Sequence, residues 1–507
     1  MTRLSLAALA ALALAASASA QQVPEQPDPA APTAEMFPFV LPWDDNAPSI
    51  VDLSSWLDTP AGKHGFVTAK DGHFYVGDKR IRFLGVNTAF DTNFPSHEDA
   101  EKVAAHMAKY GIGCVRLHHM DTRSDGTGLM KSDNATIDPD RLDRLDYFVA
   151  ALKDHGIYVN INLHVGRAYP GFEKTDAMSN YFKGVDNFMA GMIESQKQFA
   201  RDLLQHVNPY TKLAYTDDPC VAFVEINNEN ALFLEWHNKK IDQWLPPYSD
   251  ELRRQWNAWL TSKYSTDEKL QAAWKGDPLA DTAKLGAVEI NKKVDDDKRS
   301  HEEHRDWIAF LYSVEEKYWG GMYRFLKDDL HVRSVVVGTP QVWSPLPVQL
   351  GMDAVDCHGY WQHPSFPHKP WDGEDWTVKN LPMVSEPNGG LIGSLGRLHA
   401  AGKPFICTEY MECAPNTYNA ETMGLLGAYA ALQDWDAVFL FAYAHWTEEM
   451  KAGYYKSFFD VSTHPAKLAT FPAAAAMFVR GDVATAEPQI VSLPRGQIVE
   501  LTRQHGP

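Results

Sequence analysis

A chain of 507 residues with 45% hydrophobic and 22% charged side chains can bury a large core, which excludes a disordered or low-complexity protein. Its formal net charge of −19 opposes long-range attraction to nucleic acid or anionic membrane surfaces and leaves neutral partners as the better match. Most of the 15 Trp, 20 Tyr and 24 Phe are expected in the core, yet aromatic faces also suit the apolar C–H faces of sugar rings.

In chain order, residues 1–20 open with Arg3, run through Leu and Ala, and close on Ala18-Ser19-Ala20, the pattern of a secretory signal cleaved after Ala20. The apolar run is too short for a bilayer span, and a Pro-rich linker over 21–50 follows, so a secreted or periplasmic chain is expected. The five cysteines are odd in number and read mainly as small buried hydrophobes; Cys407 and Cys413 are the one pair close enough in sequence to suggest a bridge. Residues 51–80 are expected as a β extension. Within it, 65–68 and 73–76 form a hairpin around Asp71-Gly72, and Gly77-Asp78 turns the chain into a strand over 80–86.

From Ile81 onward short apolar runs alternate with helical stretches, the signature of a parallel sheet. Ser96 and Asp99 open a helix with Val103, Met107 and Tyr110 on one face and Gly111 as its stop. Asp138-Pro139 open a second, whose Leu142, Leu145, Phe148, Val149 and Leu152 fall at helical spacing before Gly156. Strands are expected at 81–86, 113–117, 157–163, 221–226, 334–337, 354–356, 404–407 and 438–442. Eight of them predict a (β/α)8 TIM barrel, an α/β fold, over 81–480, with a tail over 481–507. The stretch over about 231–330 is too long for one crossover and predicts a helical insertion after strand four, including a helix over 252–264.

Catalytic groups of such a barrel sit at the C-terminal ends of its strands. Asn87 ends strand one, Arg116 and His118 strand two, His164 strand three, Asn228-Glu229 strand four, His358 and Tyr360 strand six, Glu409 strand seven, and His445-Trp446 strand eight. Glu229 and Glu409 then face each other across the mouth, the placement glycosidic cleavage requires of its two carboxyl groups. Arg116 is expected to hold Glu409 ionised as nucleophile, while a less polar setting keeps Glu229 protonated as general acid/base. Glu225 is the rival of Glu229; strand alternation aims both inward, but Glu229 lies nearer the mouth, which leaves Glu225 either as a carboxylate supporting the site residues from behind or as a buried paired carboxylate. Glu412 reads as a loop residue.

His118, His119 and His164 could ligate a metal, but a strand one that ends at Asn87 has no His-x-His pair, so neither metal nor cofactor is expected. His118 and His164 read as hydrogen-bonding site residues, and His119 stands evenly between site and packing. Trp343, Trp361, Trp371 and Trp376 are placed on loops after strands five and six, where packing and sugar stacking weigh equally. Asp295-Asp296-Asp297 reads as a solvated surface.

The ordered set Arg116, His164, Asn228-Glu229, His358-Gly359-Tyr360, Thr408-Glu409-Tyr410 and Trp446 resembles clan A of the glycoside hydrolases, and most its family 5, over roughly residues 80–450. The resemblance implies that Arg116 and Tyr360 hold the nucleophile, Asn228 contacts the sugar 2-hydroxyl, His164 and His358 line the central subsite, and Trp446 forms its floor. It also implies retaining hydrolysis of β-linked glucan, mannan or galactan by double displacement. His118-His119 and the long insertion are not general in family 5; they are similar to larger clan A enzymes that act on β-galactosides or β-mannosides. The competing class is a carbohydrate-binding barrel without catalysis, which has no need of two carboxylates poised across one bond. Endo or exo action and the oligomeric state stay open.

Overall fold

The computed structural model describes residues 39–175, 178, 180–276, 279–292 and 301–505. The expected signal, most of the linker and Asp295-Asp296-Asp297 lie outside them. Strands β1 (Val67–Lys70), β2 (His73–Val76) and β3 (Lys79–Ile81) form an antiparallel meander. Asp71 and Gly72 both have positive φ (51° and 83°), the backbone an Asp-Gly hairpin turn favours. The run expected as one strand over 80–86 is two, broken at Arg82, whose guanidinium bonds Asp434 and the Phe478 carbonyl as the chain leaves the meander. Phe74 of β2 meets Phe223 edge-on at 5.1 Å, and Phe223 in turn meets Phe83 and Phe439, so the meander closes the floor of the large sheet.

That sheet comprises β4 (Phe83–Ala89), β5 (Cys114–His118), β6 (Tyr158–Asn162), β7 (Val221–Glu225), β8 (Val335–Val337), β9 (Val355–Trp361), β10 (Phe405–Glu412) and β11 (Ala437–Ala444). The order is β8-β7-β6-β5-β4-β11-β10-β9, each neighbouring pair parallel. Asp353 N–H to Val336 O and Gln341 N–H to Asp356 O, both 3.0 Å, bridge the remaining seam, completing a (β/α)8 barrel. The first crossover helix, His97–Lys109, is capped by Ser96, and Pro139–Asp154 by Asp138; Gly111 and Gly156 follow them with positive φ.

Strands β9 and β10 run beyond the apolar segments that announce them, because polar residues in their upper halves, His358, Tyr360 and Glu409 among them, are hydrogen-bonded inside the mouth. Glu412 is therefore the buried last residue of β10 rather than a loop residue; Thr422 donates to it, and burial pushes its carboxyl up to about 7. Trp361 likewise ends β9, its indole donating to Leu381 O. All five cysteines are free and buried. A Cys407–Cys413 bridge is ruled out by their place along one extended segment, where six residues span about 20 Å against the roughly 7 Å limit between bridged Cα atoms.

The insertion contributes helices Leu232–His237, Pro246–Tyr264, Asp267–Ala273 and His301–Arg324. The helix expected over 252–264 begins earlier, with Pro246 and Pro247 in its first turn, where the missing N–H costs nothing. Trp256, Trp274, Trp307 and Phe310 pack together as the insertion's own core. The expected tail carries a further helix, Ile498–His505, tied to His301–Arg324 by Arg305–Glu500 and Tyr312–Thr502 contacts. Among the described residues no helix is long and apolar enough to cross a membrane.

Candidate active site

The site is organised by Arg116 on β5, which is fully buried. Its Nε and Nη2 fork onto Glu225 at 2.6 and 2.8 Å; Nη2 also donates to Asn228 Oδ1 at 2.9 Å, and Nη1 to Asn87 Oδ1 and Glu409 Oε1, each at 2.8 Å. All five guanidinium hydrogens are thus used, the condition under which a buried cation is tolerated. Glu225 is the buried paired carboxylate that strand alternation implied.

Glu409 on β10 accepts from Arg116 at one oxygen and from the Tyr360 hydroxyl, at 2.5 Å, at the other. Glu229 follows β7 in a left-handed conformation, φ 47°, which aims its side chain into the mouth at a cost in backbone strain. Its Oε1 lies 2.8 Å from His358 Nδ1, which also stands 3.4 Å from Glu409 Oε2. One donor atom from each of Glu229, His358 and Glu409 falls within 4.8 Å of the others. A cation held by that trio would have to compete for Glu409 oxygens already taken by Arg116 and Tyr360.

The expectation that Glu229 stays protonated does not hold for this state. Burial raises its carboxyl, but the hydrogen bond and charge of His358, with Lys183 and Arg116, bring it down to about 2. His358 moves the opposite way. Burial would lower it, yet the charge of Glu409 and the bonds to Asp356 and Glu229 lift it well above the usual histidine value. Its Nε2 lies 2.9 Å from Thr408 Oγ1, whose own hydrogen goes to Asp356 Oδ2 at 2.6 Å, so Nε2–H donates to Thr408; the raised pKa favours a second proton on Nδ1, the nitrogen that faces Glu229.

The other expected residues divide. His118 places Nδ1 at 2.9 Å from Asn162 Oδ1, and burial with the Arg116 charge keeps it neutral, which turns an Nε2 lone pair toward the pocket, 3.8 Å from Glu409. Asn228 spends its oxygen on Arg116, and among the described residues its side-chain amide nitrogen meets no partner. Asn87 is fully engaged, donating to Thr408 O and Leu440 O while accepting from Arg116; it positions the guanidinium. His164 stands behind the pocket, Nδ1 on Asp121 at 2.8 Å and Nε2 3.1 Å from the Tyr169 hydroxyl, and only its carbonyl, bonded by Asn228 N–H, reaches the site residues. Trp446 is 40% exposed and lies flat on Phe90 at 5.1 Å, which stacks on His119 at 4.4 Å.

Sequence reasoning assigns no role to Asp356, Thr408, Lys183 or Phe90. Asp356 has a signal, since 356, 358 and 360 share one face of β9; Lys183 has none, because it arrives from a distant loop to 3.9 Å from Glu229.

The model of the cellulases (glycosyl hydrolase family 5) matches residues 76–262, and that of the family 42 β-galactosidases matches 191–438. Among solved structures, the β-galactosidase of Halorubrum lacusprofundi is 15% identical with a TM-score of 0.57, the alignment covering 83% of this chain and 62% of that one. The β-galactosidase of Marinomonas ef1 is 15% identical with a TM-score of 0.51, covering 78% and 59%. The endo-1,4-β-mannanase of Rhizomucor miehei, also 15% identical, covers 82% and 99% with a TM-score of 0.48. No curated protein sequence matches.

Proposed function

We propose that this chain, a clan A glycosidase similar to glycoside hydrolase family 5, is a secreted enzyme that cleaves β-linked glucan, mannan or galactan with retention, using Glu409 as nucleophile and Glu229 as acid/base. The observation that carries the reading is that Glu229 and Glu409 face each other across the mouth with oxygens within 4.8 Å, a pair placed to flank one anomeric carbon. The signal pattern over residues 1–20 supports export.

In the first step a Glu409 oxygen bonds to the anomeric carbon as the glycosidic C–O bond breaks, and Glu229 protonates the departing oxygen. The proton that rests between His358 and Glu229 has a 2.8 Å path to the carboxylate. A bound sugar displaces water from Glu229 and favours its neutral form, which draws that proton across. In the second step Glu229 takes a proton from water, whose oxygen attacks the anomeric carbon and frees Glu409. Tyr360 and Arg116 keep the nucleophile aimed throughout. An exo-acting β-galactosidase or β-mannosidase is the second reading, favoured by the family 42 match over 191–438.

The test is sugar release from β-glucans, β-mannans, β-galactans and aryl β-glycosides. Glu409→Ala should lose about 10^4-fold or more on every substrate the wild type turns over. Glu229→Ala should lose far less on dinitrophenyl glycosides, whose leaving group needs no proton, than on polysaccharide. Retained activity in Glu409→Ala, or a wild type inert on all members, would sink the reading.

A further inference from the structure

His445 follows β11 directly, and the proposed chemistry leaves it without a task. Its Nδ1 lies 2.5 Å from Asp460 Oδ1, and its backbone N–H donates to Asp460 Oδ2 at 3.2 Å. Asp460 is buried, and Ser457 Oγ in turn accepts its backbone N–H. A carboxylate gripping both the ring and the backbone of one histidine fixes the ring's place and its tautomer, with hydrogen on Nδ1. Nε2 faces the other way and meets no protein partner among the described residues, on a side chain that is 14% exposed.

Two aromatic rings locate the imidazole. Phe441 stands 5.3 Å from His445, 6.0 Å from Tyr360 and 5.4 Å from His118, and the last two both face Glu409. Phe459 lies 5.1 Å from Tyr360 and stacks on His445 at 6.1 Å. His445 therefore sits on the nucleophile's side of the mouth, next in sequence to the half-exposed Trp446. Burial would lower the ring's pKa, but the charge and hydrogen bond of Asp460, with the charges of Glu449 and Glu409, raise it. A fixed hydrogen-bonding nitrogen beside an aromatic face is how a pocket recognises a neutral sugar, with apolar C–H groups on the ring and a hydroxyl on the nitrogen.

We propose that His445 is a specificity-determining residue whose Nε2 hydrogen-bonds one hydroxyl of the sugar held before Glu409, with Asp460 as its positioning partner. The proposal rests on the glycosidase reading above. The experiment measures kcat/KM on whichever aryl β-glycoside the wild type cleaves, and on its monodeoxy analogues, for wild type, His445→Phe and Asp460→Asn, with the melting temperature of each variant. His445→Phe should lose about 10- to 100-fold on the parent glycoside. The loss should shrink below about threefold on the one analogue lacking the partner hydroxyl. Asp460→Asn, which keeps the imidazole but weakens its anchor, should show the same pattern with a smaller loss. If His445→Phe does not fold, Asp460→Asn alone decides, because a structural effect would be equal on every analogue. An equal loss across all analogues, or no loss, would overturn the proposal. Wild type active and Glu409→Ala dead beside a flat analogue series would sink this inference alone, whereas an active Glu409→Ala would sink the glycosidase reading beneath it.

Discussion

Two regions of the molecule bury carboxyl groups completely and treat them in opposite ways. At the barrel mouth Glu225 and Glu409 share the Arg116 guanidinium, so each buried acid meets a cation. Beside it, Glu315 of the insertion and Asp186 are surrounded by neutral donors: Phe233 N–H, the Trp319 indole and Ser344 for the first, Asn227, Asn230 and Tyr169 for the second. Among the described residues neither has an ion-pair partner, and burial pushes both up to about 7. Burial raises the Glu225 carboxyl as well, but the charge and hydrogen bonds of Arg116 oppose it, an opposition from a bonded cation that the flanking acids lack. The mouth keeps its charges matched where chemistry needs them, and the flanking network can hold its acids neutral because its work is to shape the loops that carry Lys183 and Asn230.

The largest effect should come from breaking the matched side. Arg116→Ala leaves Glu225 buried without its cation and Glu409 with only Tyr360 and His358, and should lower unfolding free energy by roughly 3–5 kcal/mol in urea titrations at neutral pH. Adding Glu225→Gln should recover part of that loss; no recovery would mean that the guanidinium acts by packing.

The unmatched side should declare itself through pH. With a folded pKa near 7 and an unfolded value near 4.5, Glu315 is protonated in both states at low pH, and its contribution is then fully present. As pH rises from about 4.5 to 7 the folded chain holds a proton that the unfolded chain has released, so stability falls by roughly 3 kcal/mol in all. Glu315→Gln should flatten that part of the profile in thermal melts across pH 4.5–8, and an unchanged slope would place the effect elsewhere.

A smaller effect should follow at the join between charge and neutral donor, where Thr408 links His358 to Asp356. Thr408→Val keeps the shape but removes the hydroxyl, at about 1 kcal/mol of stability. It should reduce kcat several-fold with KM nearly unchanged, since it loosens His358 without touching the sugar; a matching rise in KM would contradict that.

Much of the mouth is legible in the order of the residues. Eight apolar runs, their capped helices and the polar residue at each strand end suffice to place Arg116, Glu229, Glu409, Tyr360 and His358 together, because strand period and barrel geometry are regular. What escapes has a common cause. The run of apolar residues stops before β10 does, so Glu412 reads as loop; the strand continues because Thr422, ten residues on, supplies a donor. His164 reads as a subsite residue by position, but Asp121 and Tyr169 occupy its ring.

By itself the sequence determined the barrel, its insertion and which residue types stand at which strand ends, since these follow from local periodicity, capping and connection length. Only the tertiary structure decided that His358 rather than Glu229 holds the resting proton, that Asn87 serves Arg116, and that Asp460 turns His445 toward the pocket. Those outcomes depend on through-space partners tens to hundreds of residues apart, and no local pattern in the chain encodes the distance between them.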